Sequence, residues 1–170
     1  LNQEVGDTVR LYYQVVKSDG ADYNNGELQS MNLIRGLVTG VPEVFKAHLT
    51  ANHTVPPRQS TGYGQILAEL LDSTLRISGS IDGLMGEIGT MHIHMAMAGT
   101  NGPAILPLIA TVSSDGNSAQ LAAFDNTYEL TAAQLDTLND RGLYINIHTS
   151  LFPNGEVRGQ ILPDANAYYY

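Results

Sequence analysis

In STLRISGSID (73–82), Leu75, Ile77, Gly79 and Ile81 take every second position, with Arg76, Ser78 and Ser80 between them. A period of two sends one set of side chains into a core and the other away from it, which predicts a β-strand. The pattern recurs along the chain. MHIHMAM (91–97) sets Met91, Ile93, Met95 and Met97 on one face and His92, His94 and Ala96 on the other. LYINIHTS (143–150) sets Leu143, Ile145 and Ile147 against Tyr144, Asn146 and His148. QILAELLD (65–72), AILPLIATV (104–112), LAAF (121–124) and EVRGQIL (156–162) read as further strands, with SDGNS (114–118) and FPNG (152–155) as turns.

One segment follows a different period. LTAAQLDTLNDRG (130–142) spaces Leu130, Leu135 and Leu138 near helical intervals. Thr131, three before Gln134, makes a capping box, and Gly142 is a natural stop, so a short helix is expected from 132 to 139. Strands at roughly ten-residue spacing with one inserted helix predict an all-β fold: an antiparallel, Greek-key-like sandwich or flattened barrel. The first 45 residues differ. VRLYYQVV (9–16) alternates as a strand with two partly buried faces, KSDGADYNNGE (17–27) is a loop, and LQSMNLIRGLV (28–38) has no clean period. The organisation expected is an N-terminal extension over 1–45, a β-module over 46–162 and a tyrosine-rich tail over 163–170.

Composition narrows the function. Seventeen acidic against eight basic residues give a net charge of −9, and the basic residues are scattered singly. Such a surface repels phosphate backbones, so nucleic acid is set aside as a partner. No apolar run reaches the ~20 residues that span a bilayer. The absence of cysteine removes disulfides, thiolate nucleophiles and cysteine-based metal sites. The chain begins at Leu1 rather than methionine, as expected of a protein whose leader has been removed or of a trimmed sequence, and composition does not choose between the two. Nucleophile-elbow, phosphate-loop and dinucleotide fingerprints are missing from the sequence.

The remaining candidate chemistry is histidine. An H-x-H pair on a strand places two imidazoles ~6.5–7 Å apart on one face. If 91–97 and 143–149 are neighbours, His148 joins His92 and His94 in a three-nitrogen set apt for copper, or less so zinc, with an open position. The alternative is a hydrogen-bonded histidine network. Asn146, Glu156 and Arg158 share that face and are assigned supporting roles, with Arg158 expected in a structural ion pair with Glu156 or a loop aspartate. The methionines face the core as filling. His48 and His53 are expected on loop surface. Tyr168, Tyr169 and Tyr170 end the chain as an adhesive patch suited to packing or self-association, together with the N-terminal arm.

HIHMAMAGTNGPAI (92–105) and LTAAQLDTLNDRGLYINIHTSLFPNGEVRGQIL (130–162) resemble the CHRD domain, a module named after chordin, as does ANHTVPP (51–57), which departs from the family in carrying His53 and Thr54 where an acidic residue is common. The resemblance spans roughly 46–162 and implies an extracellular or periplasmic β-sandwich. A fainter similarity to copper/zinc superoxide dismutases rests on His92, His94 and His148, without those enzymes' bridging histidine or zinc loop. Three readings follow: a non-catalytic, structural or self-assembling exported module that binds copper, a copper-dependent redox enzyme of dismutase type, and a protein-ligand-binding domain.

Overall fold

The computed structural model describes residues 8–13, 29–34 and 40–164. The tyrosines at 168–170 lie outside the described residues, as does the loop expected at 17–27. The chain divides into two compact units, Leu1–Val41 and Pro42–Tyr170. In the first, β1 (Thr8–Tyr13) pairs antiparallel with β2 (Gln29–Ile34), from Thr8 opposite Ile34 to Tyr13 opposite Gln29. The aperiodic 28–38 segment therefore contains a strand.

The second unit opens with β3 (Glu43–Thr50), so the boundary expected after residue 45 falls inside a strand. A 3-10 turn (Ala51–His53) leads to β4 (Tyr63–Leu71), β5 (Thr74–Asp82), β6 (Ile88–Met95), β7 (Ala104–Pro107), β8 (Thr111–Val112), β9 (Ala119–Leu121) and β10 (Thr127–Glu129). Helix α1 (Ala132–Asn139), β11 (Leu143–Thr149), β12 (Val157–Gln160) and β13 (Leu162–Pro163) follow. All join one antiparallel sheet in the order β7-β6-β11-β12-β3-β4-β5-β9-β8, with β10 added beside β5 and β13 beside β3. The sheet curls around a single core, as expected of an all-β sandwich or barrel with one short helix. Leu75, Ile77, Ile81, Ile93, Leu143, Ile145, Ile147 and Val157 are all fully buried there. Among the described residues, no helix is long and apolar enough to cross a membrane.

Several local expectations change. The 104–112 run is two strands because the Asn126 side chain takes both backbone groups of Ile109, accepting from its N–H and donating to its carbonyl at 2.8 Å each. A ladder partner is thereby replaced and pairing stops. The strand expected at 121–124 sits earlier, at 119–121, and Phe124 stands out on the following turn, 93% exposed. Met97 is exposed rather than core, because β6 ends at Met95. The 156–162 run holds two strands, β12 and β13, with the Ile161 N–H between them still bonded to the Leu143 carbonyl in the β11–β12 register. The helix keeps its capping box, but the left-handed residue after it is Arg141, with φ 62°. Gly142 serves close packing instead, since a Cβ there would lie 2.7 Å from Thr137 Cγ2.

Glu156 and Arg158 do not form the expected ion pair. Glu156 precedes β12 and is fully buried, its Oε1 accepting from Ser60 Oγ (2.5 Å) and Met85 N–H (2.6 Å). Its Oε2 accepts from Thr149 Oγ1 (2.7 Å) and Gly86 N–H (3.2 Å). Burial pushes this carboxyl's pKa up, but the hydrogen bonds from Met85, Ser60, Thr149 and Gly86 outweigh it and hold the value below normal. One carboxylate thus ties the segment before β4, the β5–β6 connection and the end of β11.

Both oxygens carry two donors, so an amide at this position turns its NH2 against donors in either orientation. Glu156→Gln is expected to lower unfolding free energy by about 2–4 kcal/mol in urea at neutral pH. A loss under about 0.5 kcal/mol would refute the role. Because the folded pKa is depressed, the carboxylate's stabilisation is present above its unfolded pKa, about 4.5. It is lost as pH falls through the folded value, so the variant's deficit shrinks in acid.

Candidate metal centre

β6 and β11 are antiparallel neighbours, with Asn146 opposite His92, Tyr144 opposite His94 and Thr90 opposite His148. Apolar side chains of both strands fill the core, so the polar set shares the far face. The register leaves His94 and His148 four residue steps apart along the pair, about 13 Å of strand. Their rings nonetheless lean together over the His92–Asn146 rung, with Nε2 to Nε2 at 3.5 Å. The His92 ring lies 5.7 Å from His94 and 5.5 Å from His148, centroid to centroid. One nitrogen from each of the three rings falls within 4.8 Å of the others.

Two backbone carbonyls hold the lean. His94 Nδ1 is 2.9 Å from the Gly102 carbonyl and His148 Nδ1 is 2.9 Å from the Pro153 carbonyl. A carbonyl only accepts, so each Nδ1 carries hydrogen, and in the neutral form of each ring the Nε2 lone pair faces the other. The Asn146 amide is 3.3 Å from His148 Nε2 as a donor. His92 Nδ1 is buried with no hydrogen-bond partner. Lone pairs aimed at one another, beside an orphaned ring nitrogen, are satisfied by a cation placed between them. Three nitrogens no more than 4.8 Å apart share a point at most about 2.8 Å from each, so shifts under about 1 Å reach the ~2.0–2.1 Å of a metal–nitrogen bond.

Protonation is disfavoured. Burial lowers the His92 pKa, and His148 nearby lowers it further. Burial is also the largest influence on His94; the Gly102 carbonyl opposes it, while His148, His92 and Arg158 add to the depression. Neutral imidazole is the form that binds metal.

Behind the cluster, Tyr144 stacks on His94 (centroids 5.0 Å apart, planes 18° apart), and the Arg158 guanidinium lies 3.5 Å from the Tyr144 ring centre. Both residues are 2% exposed. Tyr144 Oη accepts from the Gly102 N–H, fixing the loop whose carbonyl holds His94. Of the supporting residues expected from sequence, Asn146 touches His148, Arg158 acts through Tyr144, and Glu156 lies elsewhere. Gly155, at φ 114°, lets Asn146 in; a Cβ there would sit 2.3 Å from Asn146 Oδ1. The Tyr144 stack and the Gly102 and Pro153 carbonyls escape sequence reasoning, although G-x-N-G-P and F-P-N-G mark their loops. His48 belongs to β3 and His53 to the 3-10 turn, neither in the cluster.

Fold and site together define an all-β module with three imidazoles converging on the face opposite its core. A family-model match to the CHRD domain covers residues 45–161, and the chain belongs to the CHRD-domain family. Comparison with curated proteins and with solved structures returned no match.

Because the folded-state pKa values of His92 and His94 lie below the ordinary 6.5, the unfolded chain takes up protons first as pH falls. Metal-free protein is therefore expected to be less stable at pH 5.5 than at pH 7.5. Replacing His92 and His94 together by glutamine should flatten that slope in urea midpoints. An unchanged slope would show that these rings do not carry it.

Proposed function

We propose that the protein is an exported, non-catalytic CHRD module that binds one copper ion through His92, His94 and His148. The observation that carries this is the pair of facing Nε2 atoms, 3.5 Å apart, with both Nδ1 atoms committed to carbonyls. The Asn146 amide serves His148 Nε2 alone, and burial disfavours a proton on His94, so the facing pair favours a cation between the two nitrogens. Three neutral nitrogens suit copper(II) over other divalent first-row ions by the usual affinity order, and zinc is the nearest competitor. The extracellular character of CHRD domains supports export.

The test is metal content and calorimetric titration of metal-stripped full chain. One copper per chain is expected, with a resonance spectrum showing imidazole nitrogens, and affinity falling on the order of 100-fold or more in His94→Ala. Copper at 100 times its dissociation constant should add about 2.7 kcal/mol of stability. Absence of stoichiometric copper, or equal affinity in the variant, would sink the proposal; tighter zinc than copper would reassign the ion.

A redox role of dismutase type is the second reading, favoured by the partial exposure of His92 and His148, which leaves one side of the cluster towards solvent. Superoxide removal by copper-loaded protein, abolished in His94→Ala, would replace the non-catalytic reading.

A further inference from the structure

A cleft borders Arg158, the residue whose guanidinium covers the Tyr144 ring. Its volume is about 430 Å³, within the range of small-molecule sites. Three separated segments build it: β3 with the 3-10 turn and the prolines after it, the loop following β6, and the β12–β13 edge. Val55, Pro57, Ala98 and Leu162 give it apolar walls; His48, His53, Arg158 and Gln160 supply polar groups. The walls are tied together in advance. Asn101 Nδ2 donates to the Val55 carbonyl across the cleft (2.9 Å), and Thr54 Oγ1 lies at hydrogen-bond distance from the carbonyls of Ala51 and Pro56.

Its electrostatics are those of an anion site. Arg158 is 2% exposed, and its hydrogen bonds go to the Thr100 and Met97 carbonyls and the amide oxygens of Asn101 and Gln160. These acceptors take up the four Nη hydrogens without neutralising the charge, so a ligand meets Arg158 through its field rather than through a free Nη–H. Among the described residues lining the cleft there is no carboxylate, although the whole chain carries −9. A buried cation without a counter-charge is costly, and an incoming anion offsets that cost in a medium less polar than water. The apolar walls add a requirement for a hydrophobic body.

We propose that this cleft binds a small organic acid, with its carboxylate towards Arg158 and the imidazole side and its apolar part against Val55, Pro57 and Leu162. The site is separate from the histidine cluster and does not depend on a metal there.

The experiment uses the full chain, stripped of metal and kept in a chelator so that a carboxylate cannot report on a bound ion. Benzoate, benzamide and benzylamine are titrated against amide resonances. Benzoate is expected to saturate, with shifts centred on Asn52, Val55, Ala98 and Gly99, and to bind at least about tenfold more tightly than benzamide. His53→Glu leaves the Tyr144 stack untouched and sets a carboxylate in the cleft wall. It should weaken benzoate at least about tenfold while leaving benzamide unchanged. Equal binding of benzoate and benzamide, a preference for benzylamine, no saturation by benzoate, or unchanged benzoate affinity in His53→Glu would each overturn the proposal. Tighter binding of N-acetyl-glycyl-phenylalanine than of benzoate would move the source of the carboxylate from a free acid to a chain end, and overturn it too.

Discussion

Everything at the histidine cluster depends on the pairing of β6 with β11. Strand alternation allows each strand one face for the core, and here both cores are stringent: Ile93, Leu143, Ile145 and Ile147 have no exposed surface. A slip of one residue in β6 would turn His92 and His94 into that core, and one in β11 would turn in Tyr144, Asn146 and His148, each bringing its own isoleucines out. The apolar side thus fixes the position of the polar side without touching it. What pairing cannot supply is convergence, because His94 and His148 begin four steps apart. Convergence comes from the carbonyls of Gly102 and Pro153, each on a loop that returns over the sheet.

This division explains what could be read in the sequence. The period of two in 73–82, 91–97 and 143–149 is enforced by burial, so strand identity and facing were legible, as were the three histidines. The helix was legible because Thr131 and Gln134 satisfy backbone groups locally. Legibility fails where a distant side chain intervenes. Asn126 splitting the 104–112 run is a long-range choice that no local pattern announces. Glu156 was misplaced for the same reason: alternation gives a facing, but its four donors come from three remote segments. Met97 continued a correct pattern past the residue where the strand ends.

The two polar residues that sequence reasoning joined as an ion pair show how burial sorts charge. Glu156 and Arg158 are two apart, both buried, and solvated by different means. The carboxylate is fully enclosed by backbone N–H and hydroxyl donors, leaving no capacity for another partner. The guanidinium is held by carbonyl and amide oxygens and by the face of Tyr144, which orient it but carry no full negative charge. Only the second arrangement leaves a field for something else to answer, and only the second borders a cleft.

Tyr144 is where the two candidate sites meet. One face of its ring lies along His94 and the Arg158 guanidinium lies over the ring, while its hydroxyl accepts from Gly102, whose carbonyl aims His94. The planar guanidinium suits this stacking in a way a lysine ammonium does not. A cation so placed draws on the ring's electron density and makes a protonated His94 less favourable, in line with Arg158's part in lowering that imidazole's pKa. The same buried charge therefore does two jobs. Towards the sheet it adds, after burial, to the lowering of the His94 pKa; towards the loops it borders the cleft with no carboxylate among the described residues lining it.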